Sequence, residues 1–499
     1  MLLKSFRYQI VSENQRRGYR ITGICKSNTN IGQRYVLRVS TTRGVPSTST
    51  NLKEALCEKI PVHYDLLRNF RKEHGQSVIS RITVDNVYNG LQGVNTMVRE
   101  TSENDSKYRG LTIPEVLNLL PRHGTSPSVE AVFWLLLTGD VPTQEQTNSL
   151  INDWSSRRQR RTEWWSGPGG GIIGSVLKNL PDNVTPLGRL SIALTILQTD
   201  KHTKKALENG ALNHTHWEHI YEDSMELLAA LPAIVGLVGK GRELKNVTEG
   251  GDWIDFLLEC LSNTSEDLKG RTSVGDFLRL YVSLNADEDG GVPGVHITQI
   301  SGASYLDISQ ALASGVLVYE NEPVTGTMSQ YMEFQKKVKS VLGTKPKEET
   351  LKDFLTSFIE ENKLIGHKET RFLDSRYTAL LNHVKTYLPG DVELSQDITR
   401  VLAFLMKNTK NKNIFPEQNS IAAPMFQFYG LKDMKFNQVL LCMSRALGAV
   451  ASIIWTRAIN APVEQPKSNS TYTYFYSLRD IRNKIKKRTR VKHLTKFTS

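Results

Sequence analysis

Apolar residues recur at helical spacing through most of this chain, and this spacing most constrains its fold. Between 216 and 232 a stripe of apolar side chains repeats every three or four residues, and Pro232 stands where a helix would bend or end. Between 436 and 455 small and apolar residues dominate, so a helix there should be buried or lie at a subunit contact. Strand-type alternation is scarce, and its best short candidate is 80–88. The sequence therefore predicts a mainly α-helical fold.

Positive charge is concentrated at the two ends of the chain. The 499 residues carry 63 Lys and Arg against 51 Asp and Glu, a net charge of +12. Residues 1–50 and residues 471–499 each hold nine basic residues and one acid, so each end carries +8 and the body between them −4. The basic character thus belongs to the ends and not to the helical body.

The two basic ends predict different properties. Residues 1–50 are rich in Arg, Ser and Thr and nearly free of acids, which is typical of an organelle transit segment, although a basic disordered arm has the same composition. The tail 471–499 places aromatic residues beside Lys and Arg, a combination that can bind nucleic acid. A short basic helix is more often a solvated face or a membrane-surface contact, so nucleic acid is not favoured as a partner.

Several classes of protein and site are excluded by the motifs. The four cysteines lie far apart without a C-x-x-C pair, which excludes a zinc ribbon and a thioredoxin-type motif and favours a reducing compartment. No apolar run approaches the length of a membrane span. Residues 167–171 are glycine-rich but lack a following Gly-Lys-Ser/Thr, so they predict a loop and not a phosphate cradle. Residues 287–291 lack the bidentate Glu of a calcium loop, and no metal site is predicted.

Eight short segments, in their order and spacing, give the chain a resemblance to the mitochondrial citrate synthase family. The resemblance covers roughly 51–470 and stops at the basic tail, which that family usually lacks. The segments are Asn51-Leu-Lys-Glu, Phe70-Arg-Lys-Glu-His-Gly, Tyr108-Arg-Gly-Leu-Thr-Ile-Pro-Glu, Phe133-Trp-Leu-Leu-Leu-Thr-Gly-Asp-Val-Pro-Thr, Tyr221-Glu-Asp-Ser-Met, Asp374-Ser-Arg-Tyr, Ser444-Arg-Ala-Leu-Gly and Pro466-Lys-Ser.

The resemblance implies an all-α, two-domain fold that forms a dimer, with a small domain that closes over the substrates. Within 51–470 it implies a large domain in two parts (51–319 and 425–470) and a small domain (320–424). The composition adds the transit segment (1–50) before them and the basic tail (471–499) after them. The family reaction joins acetyl-CoA, oxaloacetate and water into citrate and CoA in the tricarboxylic acid cycle. Acetyl-CoA would be a co-substrate, and no permanently bound cofactor is implied.

Four residues match the family's functional positions. On the resemblance, His367 would polarise the ketone of oxaloacetate and Arg371 would meet a phosphate of CoA. Arg376 and Arg445 would bind the carboxylates of oxaloacetate. The competing interpretation is that the chain has inherited these four side chains from the family but no longer uses them for binding or catalysis.

Five other functional positions are substituted. Asn419 falls where the family has its general base, and an amide does not accept a proton near neutrality. Asn321 is the best placement for the enol-stabilising histidine, and no histidine occurs between 296 and 367. Glu288 replaces an oxaloacetate-binding histidine, and its charge would repel a dicarboxylate, unless it serves as a substitute base. Gln465 replaces the arginine that crosses from the other subunit, and Gln92 replaces a second CoA-phosphate arginine.

Two hypotheses remain open. In the first, the chain is a citrate synthase-like acyltransferase of the mitochondrial matrix that is slow or altered in substrate. In the second, it is a non-catalytic paralogue that forms a homodimer, or a heterodimer with an active subunit, or binds polyanions through its tail. The substituted residues favour impaired or absent condensation.

Overall fold

A computed structural model describes most of the chain. The described residues are 24–25, 36–37, 45–76, 99–101, 106–197, 202–211, 215–240, 244, 251–262, 271–288, 292–304, 306–320, 323–360, 365–369, 372–384, 390–464, 476 and 479. They fall into two compact units, Met1–Ala461 and Pro462–Ser499, and every element below belongs to the first. The candidate strand 80–88 lies outside the described residues.

The described part of the first unit contains eighteen α-helices. In chain order they are α1 (Leu52–His74), α2 (Ile113–Leu119), α3 (Val129–Thr138), α4 (Gln144–Arg160), α5 (Gly171–Leu177), α6 (Pro186–Ile196), α7 (His202–Glu208), α8 (His216–Lys240), α9 (Trp253–Ser262), α10 (Arg271–Leu284), α11 (Pro293–Ala303), α12 (Ile308–Val316), α13 (Pro323–Leu342), α14 (Glu348–Glu360), α15 (Ser375–Val384), α16 (Gly390–Lys410), α17 (Asn419–Phe428) and α18 (Met434–Ala458). Short 3-10 turns cover Thr162–Trp164 and Leu317–Glu320.

The strands are short and form four small antiparallel sheets. Their order is β1-β2, β3-β4-β5, β6-β7 and β8-β9. They are β1 (Ile24–Cys25), β2 (Val36–Leu37), β3 (Arg99–Thr101), β4 (Ser106–Tyr108), β5 (Leu111–Thr112), β6 (Arg122–His123), β7 (Ser126–Pro127), β8 (His367–Glu369) and β9 (Ile414–Pro416). The all-α prediction is confirmed, and the predicted division at 320 and 425 stays a prediction.

Helix α18 is the centre of the core, as its apolar composition predicts. Its start is fixed by the Asp433 carboxylate, which accepts from the backbone N–H groups of Lys435 and Phe436. The helix packs against α3, α6, α8, α11 and α12. Its mean hydropathy of 1.7 and its length would suit a membrane span, but the apolar window is 100% buried inside the protein. In this fold α18 is therefore a core helix.

Helix α8 continues through Pro232 and ends at Lys240, so the proline does not end it. Proline has no N–H to donate to the carbonyl four residues earlier, which belongs to Leu228. The indole N–H of Trp253 donates to that carbonyl at 2.7 Å instead. Because the partner comes from α9, the apolar periodicity of α8 alone does not reveal why the helix continues.

The chain enters the helical body at residues 45–51, and residues 45–50 are the last part of the predicted transit segment. The Lys59 ammonium pairs with Asp140 at 2.7 Å and donates to the carbonyl of Val45 at 2.8 Å. The Ser47 N–H donates to the Asp140 carboxylate at 3.2 Å. The Gln146 amide donates to the carbonyl of Ser47 at 3.0 Å. These buried contacts join the segment from Val45 onward to the body, whereas nearly all of residues 1–44 lie outside the described part.

Candidate active site

Five of the nine predicted site residues lie in the described part of the chain. They are His367, Asn419, Arg376, Arg445 and Glu288. The other four, Asn321, Arg371, Gln92 and Gln465, lie outside the described residues, so their predicted roles stay predictions.

Strand β8 and the start of α17 bring His367 and Asn419 into one region. His367 pairs with Pro416 in the β8–β9 sheet, and the Glu417 N–H donates to the carbonyl of Gly366 at 2.9 Å. Asn419 follows as the first residue of α17 and is 4% exposed. The position predicted for the general base thus holds a buried amide, which does not accept a proton near neutrality.

His367 is held by hydrogen bonds at both ring nitrogens. Gly366 precedes it with φ +71°, and a Cβ there would lie 2.4 Å from the Tyr331 ring, so only glycine fits. The Nδ1 atom lies 3.0 Å from the carbonyl of Ile365, and Nε2 lies 3.0 Å from the Thr399 hydroxyl. Since a carbonyl only accepts, Nδ1 carries the proton of the neutral ring and Nε2 accepts from Thr399.

Burial lowers the pKa of His367 from 6.5 to about 4, so the ring is neutral at physiological pH. Polarising a ketone requires an N–H directed at the ketone oxygen. In this arrangement Nε2 offers a lone pair that Thr399 already engages. The residue predicted to polarise the ketone is present, but its hydrogen bonds do not supply a donor for that role.

Arg445 is buried on α18 and is paired with Glu288. The Arg445 Nη2 atom contacts the Glu288 carboxylate, and the guanidinium lies 4.7 Å from the centre of the Tyr319 ring. The side chain of Glu288 is 15% exposed and that of Arg445 is 4% exposed. The sequence predicted that Glu288 repels a ligand carboxylate. The structure adds that Glu288 itself pairs with Arg445, the arginine predicted to bind that ligand carboxylate. A glutamate in an ion pair is less suited to act as a substitute base.

Arg376 is paired with a carboxylate from its own segment. Its Nε and Nη2 atoms donate to the two carboxylate oxygens of Asp374 at 3.0 and 2.7 Å. Burial opposes ionisation of Asp374, but Arg376 outweighs it and holds the pKa of that carboxyl below its usual range. Both arginines predicted to bind oxaloacetate therefore have an internal carboxylate partner.

Tyr281 lies close to both arginines and was not predicted as a site residue. Burial raises the pKa of its hydroxyl, and the positive charges of Arg445 and Arg376 act in the opposite direction. Its hydroxyl is buried without a hydrogen-bond partner among the described residues. The signal that sequence reasoning missed is helical spacing, because Tyr281 lies one turn before Asn285, where the loop to Glu288 begins.

The loop that carries Glu288 connects these groups. The Gln418 amide donates to the Asn285 side chain at 2.7 Å, which ties this loop to the start of α17 beside Asn419. Thr399, Tyr319, Asp374 and Gln418 are therefore the neighbours that fix the site, and none of them was predicted. The contacts of Thr399, Tyr319 and Gln418 join segments far apart in sequence, so no local motif contains them. Asp374, in contrast, lies two residues before Arg376 in the same segment.

A cluster of His123, Asp252 and Asp255 has ligand atoms within 4.8 Å of one another, the spacing of a metal site. Arg279 already bonds both carboxylates, with its Nε 2.6 Å from Asp252. Burial opposes the charge of Asp252, but Arg279 lowers the pKa of this carboxyl. The two carboxylates of the cluster therefore take part in an ion-pair network with Arg279.

The chain matches known proteins over most of its length. Residues 90–467 match the family model for the citrate synthase C-terminal domain. The probable mitochondrial citrate synthase of Glossina morsitans morsitans is 31% identical over 470 residues, which cover 87% of this chain and 98% of the relative. The mitochondrial citrate synthase of Xiphias gladius is 31% identical, covering 86% of this chain and 92% of the relative. The probable mitochondrial citrate synthase of Caenorhabditis elegans is 32% identical, covering 85% and 91%.

Solved structures show the same fold. The citrate synthase of Pyrobaculum aerophilum superimposes with a TM-score of 0.61 at 17% identity, covering 76% of this chain and 90% of that structure. The citrate synthase of Thermotoga maritima MSB8 gives 0.57 at 15% identity, covering 77% and 94%. The helical architecture, the motifs in their order and the identity to relatives of nearly the same length agree, and the chain belongs to the citrate synthase family.

Proposed function

We propose that this chain is a citrate synthase-like protein of the mitochondrial matrix in which the condensation of acetyl-CoA with oxaloacetate is strongly impaired or absent. The observation that carries the proposal is that neither described residue at a predicted catalytic position has the group that its role requires, a base at Asn419 and an N–H donor at His367. Asn419 is an amide, and His367 is a neutral imidazole with both nitrogens hydrogen-bonded. The fold is kept, but the acid–base chemistry of the site is not.

The expected loss of rate is large. Loss of one general acid–base group costs about 10²- to 10⁴-fold. Two such losses at residues that act together do not multiply, so the combined deficit is expected to be on the order of 10⁴-fold. Ground-state binding should weaken as well, because Arg445 is already paired with Glu288.

Release of CoA by the purified full-length chain tests the proposal. The assay supplies acetyl-CoA and oxaloacetate and compares the chain with an active citrate synthase at equal subunit concentration. We expect release below about one thousandth of the active enzyme's rate. A rate within about tenfold of the active enzyme would refute the proposal.

Asn419→Asp should not restore this reaction by itself. The substitution returns a carboxylate to the start of α17, but His367 still offers no N–H to the ketone and Arg445 is still paired with Glu288. Asn419→Ser is the matched control, because it removes the amide without adding a base. If Asn419→Asp gains more than about a hundredfold over Asn419→Ser, one base would suffice and the reasoning about His367 would be wrong.

The mitochondrial location is supported by two independent features. The three relatives above carry mitochondrial names, and residues 1–50 have the composition of a transit segment. Fluorescent fusions of the full chain and of a chain lacking residues 1–44 test the location. Only the full chain should accumulate in the matrix, and matrix accumulation of both would remove the role of the leader.

A role as a non-catalytic subunit is the second candidate. The observation that favours it is the contrast between a complete helical core and a substituted site. For example, Val439, Leu447, Val450 and Ile453 of α18 are all 0% exposed. We propose that the chain pairs with itself or with an active paralogue. Co-expression of two differently tagged chains followed by native mass spectrometry would distinguish homodimer, heterodimer and monomer, and a monomer would refute the role.

A further inference from the structure

We infer that Glu288 determines ligand specificity: it occupies Arg445 as a built-in carboxylate, so the site favours a 2-oxo acid with one carboxylate over one with two. The inference deepens the proposed function and rests on the same site. It concerns binding, whereas the proposed function concerns turnover. The two can therefore fail separately.

The Arg445 guanidinium is fixed in place. Arg445 is 4% exposed, and the Tyr319 ring covers its guanidinium at 4.7 Å. The Tyr319 ring in turn packs on Gly294, where a Cβ would lie 2.5 Å from ring carbons. A guanidinium held between a core helix and an aromatic ring cannot turn toward water to meet a ligand elsewhere. A carboxylate that binds Nη2 of Arg445 must therefore take the position that Glu288 holds.

The loop that carries Glu288 is also fixed in place. The Gly448 N–H donates to the carbonyl of Ala286 at 2.8 Å, one turn along α18 from Arg445. A Cβ at Gly448 would lie 2.3 Å from an Asp287 carboxylate oxygen, so the loop approaches the helix as closely as only glycine permits. The contact of Asn285 with Gln418, at 2.7 Å, holds the start of the same loop. These backbone and side-chain contacts therefore position Glu288 next to Arg445.

Displacing Glu288 from Arg445 costs free energy. Breaking a largely buried ion pair leaves a desolvated charge without its partner, which costs far more than separating a surface pair. A ligand carboxylate would have to displace Glu288 and would also meet its negative charge. A methyl group at the same place on the ligand faces neither cost. The other carboxylate, which both ligands carry, would meet Arg376, and because Arg376 is paired with Asp374 for either ligand, this contact does not distinguish them.

The test uses two ligands that differ at that one group. Oxaloacetate carries a carboxylate where 2-oxobutyrate carries a methyl. Isothermal titration of the full-length chain gives both dissociation constants for the wild type and for Glu288→Gln. Glu288→Gln should tighten oxaloacetate binding about tenfold to a hundredfold, since it removes the negative charge that is paired with Arg445. Binding of 2-oxobutyrate should stay within about threefold.

The matched control is Glu417→Gln. This change alters the net charge equally at a glutamate that is also near the site, but whose cationic neighbour Lys368 is 4.0 Å away and largely exposed. It should leave the preference between the two ligands unchanged. An equal gain from Glu417→Gln would attribute the effect to general charge and overturn the inference.

Three further results would also overturn it. These are a wild type that binds oxaloacetate as tightly as Glu288→Gln, an equal gain for both ligands, and a folded Glu288→Gln that binds neither ligand. If Glu288→Gln does not fold, Glu288→Asp keeps the charge and shortens the side chain by one methylene. It should then give a smaller gain for oxaloacetate in the same direction, and no gain would contradict the inference. CoA release by the wild type would refute the proposed function without changing the measured preference.

Discussion

His367 should make the folded protein less stable as the pH falls from 6.5 toward 4. Burial lowers the pKa of its imidazole from 6.5 to about 4. In the unfolded chain the ring takes up a proton near pH 6.5, whereas in the folded chain it stays neutral until the pH approaches 4. Between these values the unfolded state holds more protons, so the free energy of unfolding rises with pH across this window.

The size of the effect follows from the shift. A pKa lowered from 6.5 to about 4 corresponds to about 3 kcal/mol of unfolding free energy, present above pH 6.5 and lost below pH 4. At pH 5 roughly 2 kcal/mol of it should already be gone, while most carboxyl groups have hardly begun to titrate. The range from pH 5 to pH 7 therefore isolates the histidine contribution best.

The measurement compares urea unfolding of the wild type and of His367→Asn at several pH values in that range. The asparagine amide can donate to the carbonyl of Ile365 as Nδ1 does, but it does not titrate. Burial and the charge of Arg109 also lower the pKa of His63 to about 4, so the total slope has more than one source. Subtracting the variant isolates His367.

The stability difference between wild type and His367→Asn should shrink by about 2 kcal/mol from pH 7 to pH 5. Parallel stability curves would refute the buried, neutral imidazole. Nitrogen chemical shifts of isotope-labelled histidine give a second reading, since at pH 6 they should show the proton of His367 on Nδ1. A proton on Nε2 would contradict the assigned hydrogen bonds.

Two further predictions concern contacts that support the fold. Trp253→Phe should lower the free energy of unfolding by about 1–3 kcal/mol, because the carbonyl of Leu228 loses the indole N–H. In a Pro232→Ala background the same change should cost about 1 kcal/mol less, because the new backbone N–H at position 232 can donate to that carbonyl. Equal costs in both backgrounds, measured by urea unfolding, would refute this role. Gly448→Ala should cost about 1–3 kcal/mol by pushing on Asp287. Gly390→Ala, with nothing within 4 Å of the added carbon, should stay within about 0.5 kcal/mol by the same measurement.

The sequence predicts the fold well because its main signals are local. The composition of 436–455 predicts the buried helix, and the stripe in 216–232 predicts α8 up to its proline. The continuation through Pro232 depends on Trp253, a residue of another helix, so no local pattern contains it. The site follows the same division: spacing within one motif identifies His367 and Arg376. Their partners Ile365 and Asp374 lie in the same segment. The Thr399 hydroxyl at His367 and the Glu288 carboxylate at Arg445 come from elsewhere in the fold.

The substitution at Glu288 shows why residues cannot be judged one at a time. Considered alone, an acid in place of a histidine removes one side chain that was predicted to bind oxaloacetate and adds one charge that repels it. In the fold the same acid pairs with Arg445, so the substitution also neutralises a second side chain that was predicted to bind oxaloacetate. Restoring Asn419→Asp first would leave Arg445 paired with Glu288. Reversal of Glu288 should therefore have to precede or accompany reversal of Asn419, and the double reversion should gain more in oxaloacetate binding than the two single changes together.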